Sequence, residues 1–294
     1  MRKLKPKLSI VILAWNNKKD LQNCVNSIIE TYSEYFQLII VDNASRDKTL
    51  EYLEELNRNW DKNKARLDII KNHSNLGYAA GNNIALDLIE GEYTLWLNQD
   101  IIVQDNSIIK LIQYLDQNSN YAMVAPQLQY PDGSIQKSCR KLPTLGHIAN
   151  SILKWKWDDK FDYTQSQDCE QPMASSIMIR SQIMKEIGGF DADPDYWLFF
   201  NDVDLSKKLQ VKNYKTYYLS EAQMYHNHGA STKKLWNIQK RIYWQRGFNR
   251  YFIKWHYKNL IGKIILYIFS SVLFMLLIIR DIISWVSHRI WYNR

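Results

Sequence analysis

Four apolar runs of strand length alternate with segments of helical period in the first half of this chain, and that alternation leaves few folds open to it. Leu8–Ala14 is almost continuously apolar, Phe36–Val41 follows, and Leu67–Ile70 is shorter. The fourth run, Tyr93–Leu97, ends abruptly in Asn98, Gln99 and Asp100, and Ile101–Val103 follows. Between the runs, Asn16–Asn17 can cap a helix that carries Leu21, Cys24, Val25, Ile28 and Ile29 on one stripe. Ser45–Asp47 opens a second helix with Leu50, Leu53 and Leu56 on one face. A third is expected to end at Leu88 and a fourth to cover about Ser107–Leu115, ahead of a strand at Ala122–Ala125. Strands alternating with helices at this spacing predict a parallel sheet with helices on both faces.

Ligands of such sheets lie beyond the carboxyl ends of the strands. Asn16, Asp42, Asn75 and Asp100 all fall there. Taken alone, Asp100 has two readings: the start of a turn, or an oxygen ligand for a hard cation where an apolar strand runs out. Four polar strand ends converging on one edge favour the second.

The pattern changes after Pro126. Tyr130-Pro-Asp-Gly133 signals a turn inside a hairpin, and Met173–Ile179 reads as a strand. A short helix from Ser181 stops at Gly188-Gly189. The aromatic segment Tyr196–Phe200 leads to Asn201-Asp-Val-Asp204, which opens another helix. Carboxylates are favoured at a helix N-terminus, so simple capping competes with a chemical role, for Asp204 above all. Two short strands, Thr216–Leu219 and Ala222–Tyr225, deliver His226-Asn-His228. Residues 144–171, with Trp155, Trp157 and Asp158-Asp159, carry no readable pattern.

Beyond Ser231 the chain turns basic and aromatic, with Lys233, Lys234, Arg241, Arg246, Arg250 and Lys254 interleaved with Trp236, Trp244 and Trp255. The sixteen residues Ile264–Ile279 then carry no charge. As a helix they extend about 24 Å, short of a hydrocarbon core of about 30 Å. Three readings stand: a minimal transmembrane helix, an in-plane one, or a soluble helical cap. Trp285 and Trp291 suit an interfacial segment.

A net charge of +8 fits a nucleic acid, an anionic membrane or a phosphate-bearing substrate without choosing among them. Because the basic residues sit beside an apolar segment, lipid phosphates are favoured and no nucleic-acid partner is expected. Cys24, Cys139 and Cys169 form no C-x-x-C pair, which suits a reduced compartment. The basic start lacks a cleavage site for secretion. No glycine pattern for a dinucleotide, P-loop or nucleophile elbow is present, and nothing completes a zinc site around His226 and His228. What remains suits displacement of a diphosphate. Asp100, helped by His226, would hold a divalent metal against it, and Asp202 would accept the proton of an attacking hydroxyl.

These residues also occur in a recognisable order. Ser9–Asn16, Ile40–Ser45, Asn75-Leu-Gly77 with Ala80–Asn83, Leu97–Asp100, Gly188–Asp191, Asn201–Leu205 and His226–Ser231 follow one another. The chain resembles glycosyltransferase family 2, the inverting GT-A enzymes, and most closely its bacterial rhamnosyltransferase-type branch, over roughly residues 8–231. The resemblance implies an α/β GT-A fold, a Rossmann-like, mostly parallel sheet with helices on both faces, followed by C-terminal membrane-associated helices. Residues 1–125 would form the nucleotide-sugar half, 126–232 the acceptor and catalytic half, and 233–294 the membrane-associating region. Asp42 would contact the nucleotide base, with Trp15, Asn16, Asn75, Gly77, Asn82 and Asn98 completing the donor site. Asp100 and His226 would bind Mg or Mn, Asp202 would be the catalytic base, and Asp191, Asp204 and His228 would lie toward the acceptor.

The implied reaction moves a sugar from dTDP-rhamnose or a UDP-sugar to a hydroxyl of a lipid-linked or polysaccharide acceptor, at the cytoplasmic face of the cell membrane. Three residues depart from the family pattern: Asn201 where Glu is usual, Gln99 where Pro is common in the branch, and Trp15 where Tyr or Phe is usual. Asn201 alone favours a rival reading, a catalytically silent membrane scaffold that keeps the fold.

Overall fold

The computed structural model of the chain describes residues 5–146, 148, 161–227 and 237–292, with side chains for all of these except 237 and 282–292. Strand β1 (Leu8–Ala14), helix α1 (Lys18–Thr31), β2 (Phe36–Asp42), α2 (Thr49–Asn59), β3 (Ala65–Lys71) and α3 (Gly77–Asn83) come first, then β4 (Tyr93–Asn98). β1 pairs in parallel with both β2 and β4, and β2 with β3. This half of the sheet is the one the sequence predicts. The third helix is shorter than expected, ending at Asn83 and followed by a 3-10 turn at Leu86–Leu88.

The period-2 alternation of the strands explains the helices on both faces. Ile10, Ile12, Leu38, Ile40, Leu95 and Leu97 point to one side and pack with Leu21, Cys24, Val25 and Ile28 of α1. Val11, Ile39, Val41 and Trp96 point to the other and pack with Ala79 of α3. β1, β2 and β4 are buried on both faces, so their residues read as continuous apolar runs, whereas β3 at the edge is only half-buried.

The second half is mixed. β5 (Ile101–Val103), α4 (Ser107–Gln117), β6 (Tyr121–Gln129), the short β7 (Cys139–Arg140), β8 (Gln167–Asp168) and β9 (Gln171–Pro172), and β10 (Ser176–Arg180) lead to α5 (Ser181–Glu186), α6 (Asn201–Val211) and β11 (Lys215–His226). The main sheet runs β3-β2-β1-β4-β10-β6-β11-β5. β10 is antiparallel to both β4 and β6. β11 is parallel to β6 and, at its end, antiparallel to β5. The strand pair expected at 216–225 is one strand whose register slips between Leu219 and Gln223.

β4 and β5 are joined by Gln99 and Asp100 alone, yet three strands stand between them in the sheet. Strands lie about 4.8 Å apart, so a flat sheet would separate them by roughly 19 Å, while the chain from Asn98 to Ile101 reaches only about 10 Å. The sheet therefore curls, and Asp100 sits at the corner where it closes.

After β11 come α7 (Asn237–Trp255) and α8 (Leu260–Tyr292). α7 packs Phe248, Tyr251 and Phe252 against Tyr196 and Phe200 in a third apolar cluster. A Cβ on Gly247 would lie 3.0 Å from the Phe199 carbonyl oxygen and from the Phe200 ring, a tight contact that glycine avoids. His228, Ser231, Lys233, Lys234, Trp236 and the 155–159 stretch lie outside the described residues.

Candidate active site

The loops after β1 and β2 hold each other. Gln99, buried at the β4–β5 corner, accepts a hydrogen bond from the Trp15 amide at 3.1 Å and donates to the carbonyls of Trp15 and Asn16, both at 3.0 Å. The Asn16 amide donates to Ser45 Oγ, and Asn16 Oδ1 accepts from the Arg46 amide. Asn16, Asn17 and Ala44 all have positive φ (46°, 99° and 61°), a conformation that side-chain-bearing residues adopt only where their surroundings hold it. Two of the three are Asn, the type that tolerates it best.

Asp42 ends β2, 1% exposed. Its Oδ2 accepts from the Ser45 amide at 3.1 Å, while its Oδ1 is buried with no hydrogen-bond partner. A buried carboxylate oxygen without a donor is costly, and a ligand N–H would satisfy it. Next to it, Asn43 organises the 72–77 loop: Oδ1 accepts from Asn72 Nδ2 and the Leu76 amide, and Nδ2 donates to Asn75 Oδ1 and the Gly77 carbonyl. Gly77 has φ +78°, and a Cβ there would meet the Trp197 ring at 2.6 Å and its carbonyl oxygen at 2.7 Å. Asn75 and Gly77 thus shape this loop. Asn82 bonds back to the Tyr78 carbonyl within α3, and Asn98, half-buried, receives its backbone order from the Ser175 carbonyl.

At the sheet corner, Asp100 Oδ1 faces His226 Nε2 at 3.5 Å. Both residues are nearly buried, 6% and 3% exposed. The ring is fixed from behind: Gln136 Oε1 lies 2.9 Å from His226 Nδ1, and Gln136 Nε2 donates to the His226 carbonyl at 2.7 Å. This is the outer support that orients a ligating histidine. The Asn227 amide also donates to the Asp100 carbonyl, locking the two segments together. Asp100 Oδ1 is buried without a hydrogen-bond partner, which fits a cation ligand. No group of three or more His, Cys, Asp or Glu gathers among the described residues. A cation here would therefore take its remaining oxygens from a ligand or water, as Mg-type sites commonly do.

Asp202 stands in the first turn of α6, half-buried. Burial pushes its carboxyl above the ordinary carboxylate range, against the opposing pull of the Val203 amide and the Arg140 charge. Its Oδ1 accepts from the Val203 amide at 2.9 Å. Phe200, two residues earlier, has φ +68°, unusual for so bulky a side chain. Trp244, Phe248 and Tyr251 of α7 ring it and hold it there. Tyr78, whose hydroxyl donates to the Ala174 carbonyl at 2.6 Å, feels the Asp202 charge and links it to the donor-side loop.

Asp191 and Asp204, expected toward the acceptor, are instead tied to one lysine. Lys254 Nζ lies 2.7 Å from Asp191 and 2.8 and 2.9 Å from the two oxygens of Asp204. Asp204 is fully buried and also accepts from Trp255 Nε1 at 2.7 Å and from the Tyr196 hydroxyl at 3.3 Å. A carboxylate so surrounded fixes α7 against α6; it does not meet a solvent-borne acceptor. Two further pairs extend this contact, Arg250–Asp193 at 3.0 Å and Arg246–Asp195 at 2.9 Å.

Sequence reasoning missed Asn43, Gln136, Arg140 and Lys254. Asn43 lies inside a quoted motif, and its neighbour Asp42 drew the attention. Gln136, Arg140 and Lys254 act across the fold and carry no local signal.

Residues 9–183 match the family model described as glycosyl transferase family 2. An uncharacterized glycosyltransferase of Haemophilus influenzae is 30% identical over 134 residues, 46% of this chain and 39% of that protein, so the chain spans well under half of that relative. N-acetylglucosaminyl-diphospho-decaprenol L-rhamnosyltransferase of Mycobacterium tuberculosis is 23% identical over 246 residues, 76% of this chain and 77% of the relative. Among solved structures, the mannosyltransferase PcManGT from Pyrobaculum calidifontis, in complex with GDP-Man and Mn2+, superposes with a TM-score of 0.60 at 14% identity, covering 85% of this chain and 65% of that one. That likeness shows the GT-A fold. With the family model spanning more than half of its length, the chain belongs to glycosyl transferase family 2.

Proposed function

We propose that this chain is a metal-dependent inverting glycosyltransferase. It would move a sugar from a nucleotide-diphosphate donor, dTDP-rhamnose or a UDP-sugar, to a hydroxyl of a lipid-linked or polysaccharide acceptor at the cytoplasmic face of the cell membrane. The observation that carries this reading is the corner at Asp100, where a buried, unpartnered carboxylate oxygen faces a braced histidine. The rhamnosyltransferase relative supports the donor and acceptor class, since its name prints a lipid diphosphate acceptor.

In this reading the unpartnered Asp42 Oδ1 receives an N–H of the nucleotide base. Gln99 and Asn43 keep the two loops in place around the donor. Asp100 and His226 would hold the divalent cation, which would supply positive charge to the leaving diphosphate. Asp202 takes the proton of the acceptor hydroxyl as its oxygen bonds to the anomeric carbon and the carbon–diphosphate bond breaks on the opposite face. The proton ends on Asp202, the nucleoside diphosphate leaves with the bonding electrons, and the anomeric configuration inverts. The raised Asp202 carboxyl makes a stronger base than an ordinary aspartate, which suits that task.

The test is a thermal-shift panel of UDP, dTDP, GDP and CDP with and without Mn2+, followed by transfer assays with the nucleotide that binds. A metal-dependent shift for one nucleotide, absent in Asp100→Asn, is the expected result. Shifts that ignore metal, or survive Asp100→Asn, would remove the metal from the reading.

A further inference from the structure

The apolar residues of α8 are sorted sharply around its axis. Leu266, Ser270 and Leu273 are buried, with Phe269 and Leu277 packed beside them against α7. Leu260, Ile261, Ile264, Ile265, Ile268, Val272, Met275 and Ile279 are between 48% and 73% exposed. At about 100° per residue, the first set covers one side and the second set the opposite half of the circumference. The charges of this stretch, Lys263, Arg280 and Asp281, fall on or beside the α7 side. The exposed half is therefore uncharged over six turns, far more than scattered surface apolar residues require.

α8 is also fixed in direction. Arg241 of α7 grips Asp281 with two hydrogen bonds, at 2.9 and 3.0 Å. Gln245 donates to the Ser270 carbonyl, and Phe248 stacks on Phe269. α7 thus runs beside the second half of the apolar stretch. It is itself bolted to the 191–195 loop by Arg246–Asp195, Arg250–Asp193 and Lys254–Asp191. A helix crossing the bilayer upright would draw α7, with Arg246 and Arg250, into the hydrocarbon. Lying flat, it buries its open half while every one of these charges stays in water.

We infer that α8 lies in the plane of an anionic lipid surface, its exposed half sunk into the headgroup–acyl boundary and its other half carrying the catalytic domain. This rests on the proposed membrane-face function and adds the orientation. Exposed Lys258 and Arg280 flank the apolar face near its two ends, Lys263 lies beside it, and the chain as a whole carries +8, so lipid phosphates complement it. The acceptor would then be met at the membrane surface, beside a domain that cannot tilt away from it.

The experiment labels Ile261→Cys, Val272→Cys and Ile279→Cys separately with a nitroxide in the full-length protein, since the native cysteines are all buried. The proteins are reconstituted from detergent into vesicles of phosphatidylcholine with a minority of phosphatidylglycerol, and label depth is read by collision with oxygen and a nickel chelate. All three labels at one shallow depth, about 5–10 Å below the phosphates, is the expected result. A Val272 label near the bilayer centre with shallow labels at the other two positions means a spanning helix and overturns the inference. No lipid contact at any label overturns it as well, whether the face is then covered by a second copy of the chain, seen as a doubled mass, or is left open. Nucleotide-dependent thermal shifts of the same labelled proteins report the donor site separately. A retained shift with a failed depth profile sinks the orientation alone.

Discussion

Asp100 Oδ1 and His226 Nε2 stand 3.5 Å apart across a corner that two distant stretches of chain build together. Asp100 arrives because the sheet curls between β4 and β5, and His226 because the final turns of β11 pair with β5. Neither position means anything without the other. Replacing Asp100 by Asn keeps the shape and removes the charge. It is expected to abolish the metal-dependent part of nucleotide binding and to lower kcat by about 10²-fold or more, measured by calorimetric titration of Mn2+ and by initial rates. Gln136→Leu, which strips the support from the ring, should weaken metal binding by roughly 10- to 100-fold without touching a ligand.

Asp202→Asn should leave nucleotide binding intact and remove transfer, whereas a silent scaffold would be indifferent to it. For the native enzyme, kcat/KM should rise with pH through one ionisation above the ordinary carboxylate range and then level off, because the base works only when ionised. The stability effect has the opposite sign. The folded-state value lies above the reference of 3.8, so the folded protein binds more protons within that window and loses stability as pH rises through it. Asp202→Asn is therefore expected to raise Tm at neutral pH while destroying activity. An unchanged or lower Tm would argue against the burial cost assigned to this carboxyl.

How far the sequence carries this picture depends on how local each feature is. β1, β2 and β4 are legible because their side chains are buried on both faces, and their polar ends mark the ligand edge. Asp42, Asp100, Asp202 and His226 stand out as carboxylates or imidazole at element ends. The end of β4 before Asp100 is legible as polar residues closing an apolar run; the pairing of Ile101–Val103 with β11, more than a hundred residues later, is not. Asp204 reads equally as a cap or an acceptor residue because its partner Lys254 lies 50 residues away. Gln99 shows in the sequence only as a departure from a common proline. Its three bonds to Trp15 and Asn16 appear once the strands are side by side.

Those three bonds make Gln99→Ala informative. The part-buried Trp15 amide and two carbonyls would lose these hydrogen bonds, at a cost of about 1–3 kcal/mol. Because Gln99 braces the loop instead of reaching the reacting atoms, donor KM should rise more than kcat falls. Initial-rate kinetics over a donor series separate the two. A pure kcat loss would place Gln99 in the chemistry.

Gly77→Ala tests the donor loop from its backbone. Alanine at φ +78° is strained, and its Cβ would stand 2.6 Å from the Trp197 ring and 2.7 Å from a backbone oxygen that cannot move freely. The expected destabilisation is about 1–3 kcal/mol from the backbone conformation alone, with the Trp197 clash added. It should be seen as a lower urea midpoint at constant m-value. Trp197→Ala in the same background relieves the ring contact but not the φ, so it should recover only part of the loss.

The last prediction concerns Lys254, which alone stands between two aspartates, one of them fully buried. Lys254→Ala leaves the Asp204 carboxylate in the interior with a Trp N–H, a Tyr hydroxyl and the charge of Lys208, which makes no hydrogen bond to it. Breaking a buried pair from one side costs about 3–5 kcal/mol; Lys254 keeps some exposure, so the lower end applies. Adding Asp204→Asn removes the stranded charge and should return part of that stability, although the lysine contact stays lost. Urea unfolding of the two single variants and the double variant closes the cycle. Coupling of more than about 1 kcal/mol means that the ion pair joins α7 to α6. Additive losses would mean that the aromatic cluster around Phe200 holds α7 without it, and that the helix could leave the catalytic domain while the charges remain satisfied by water.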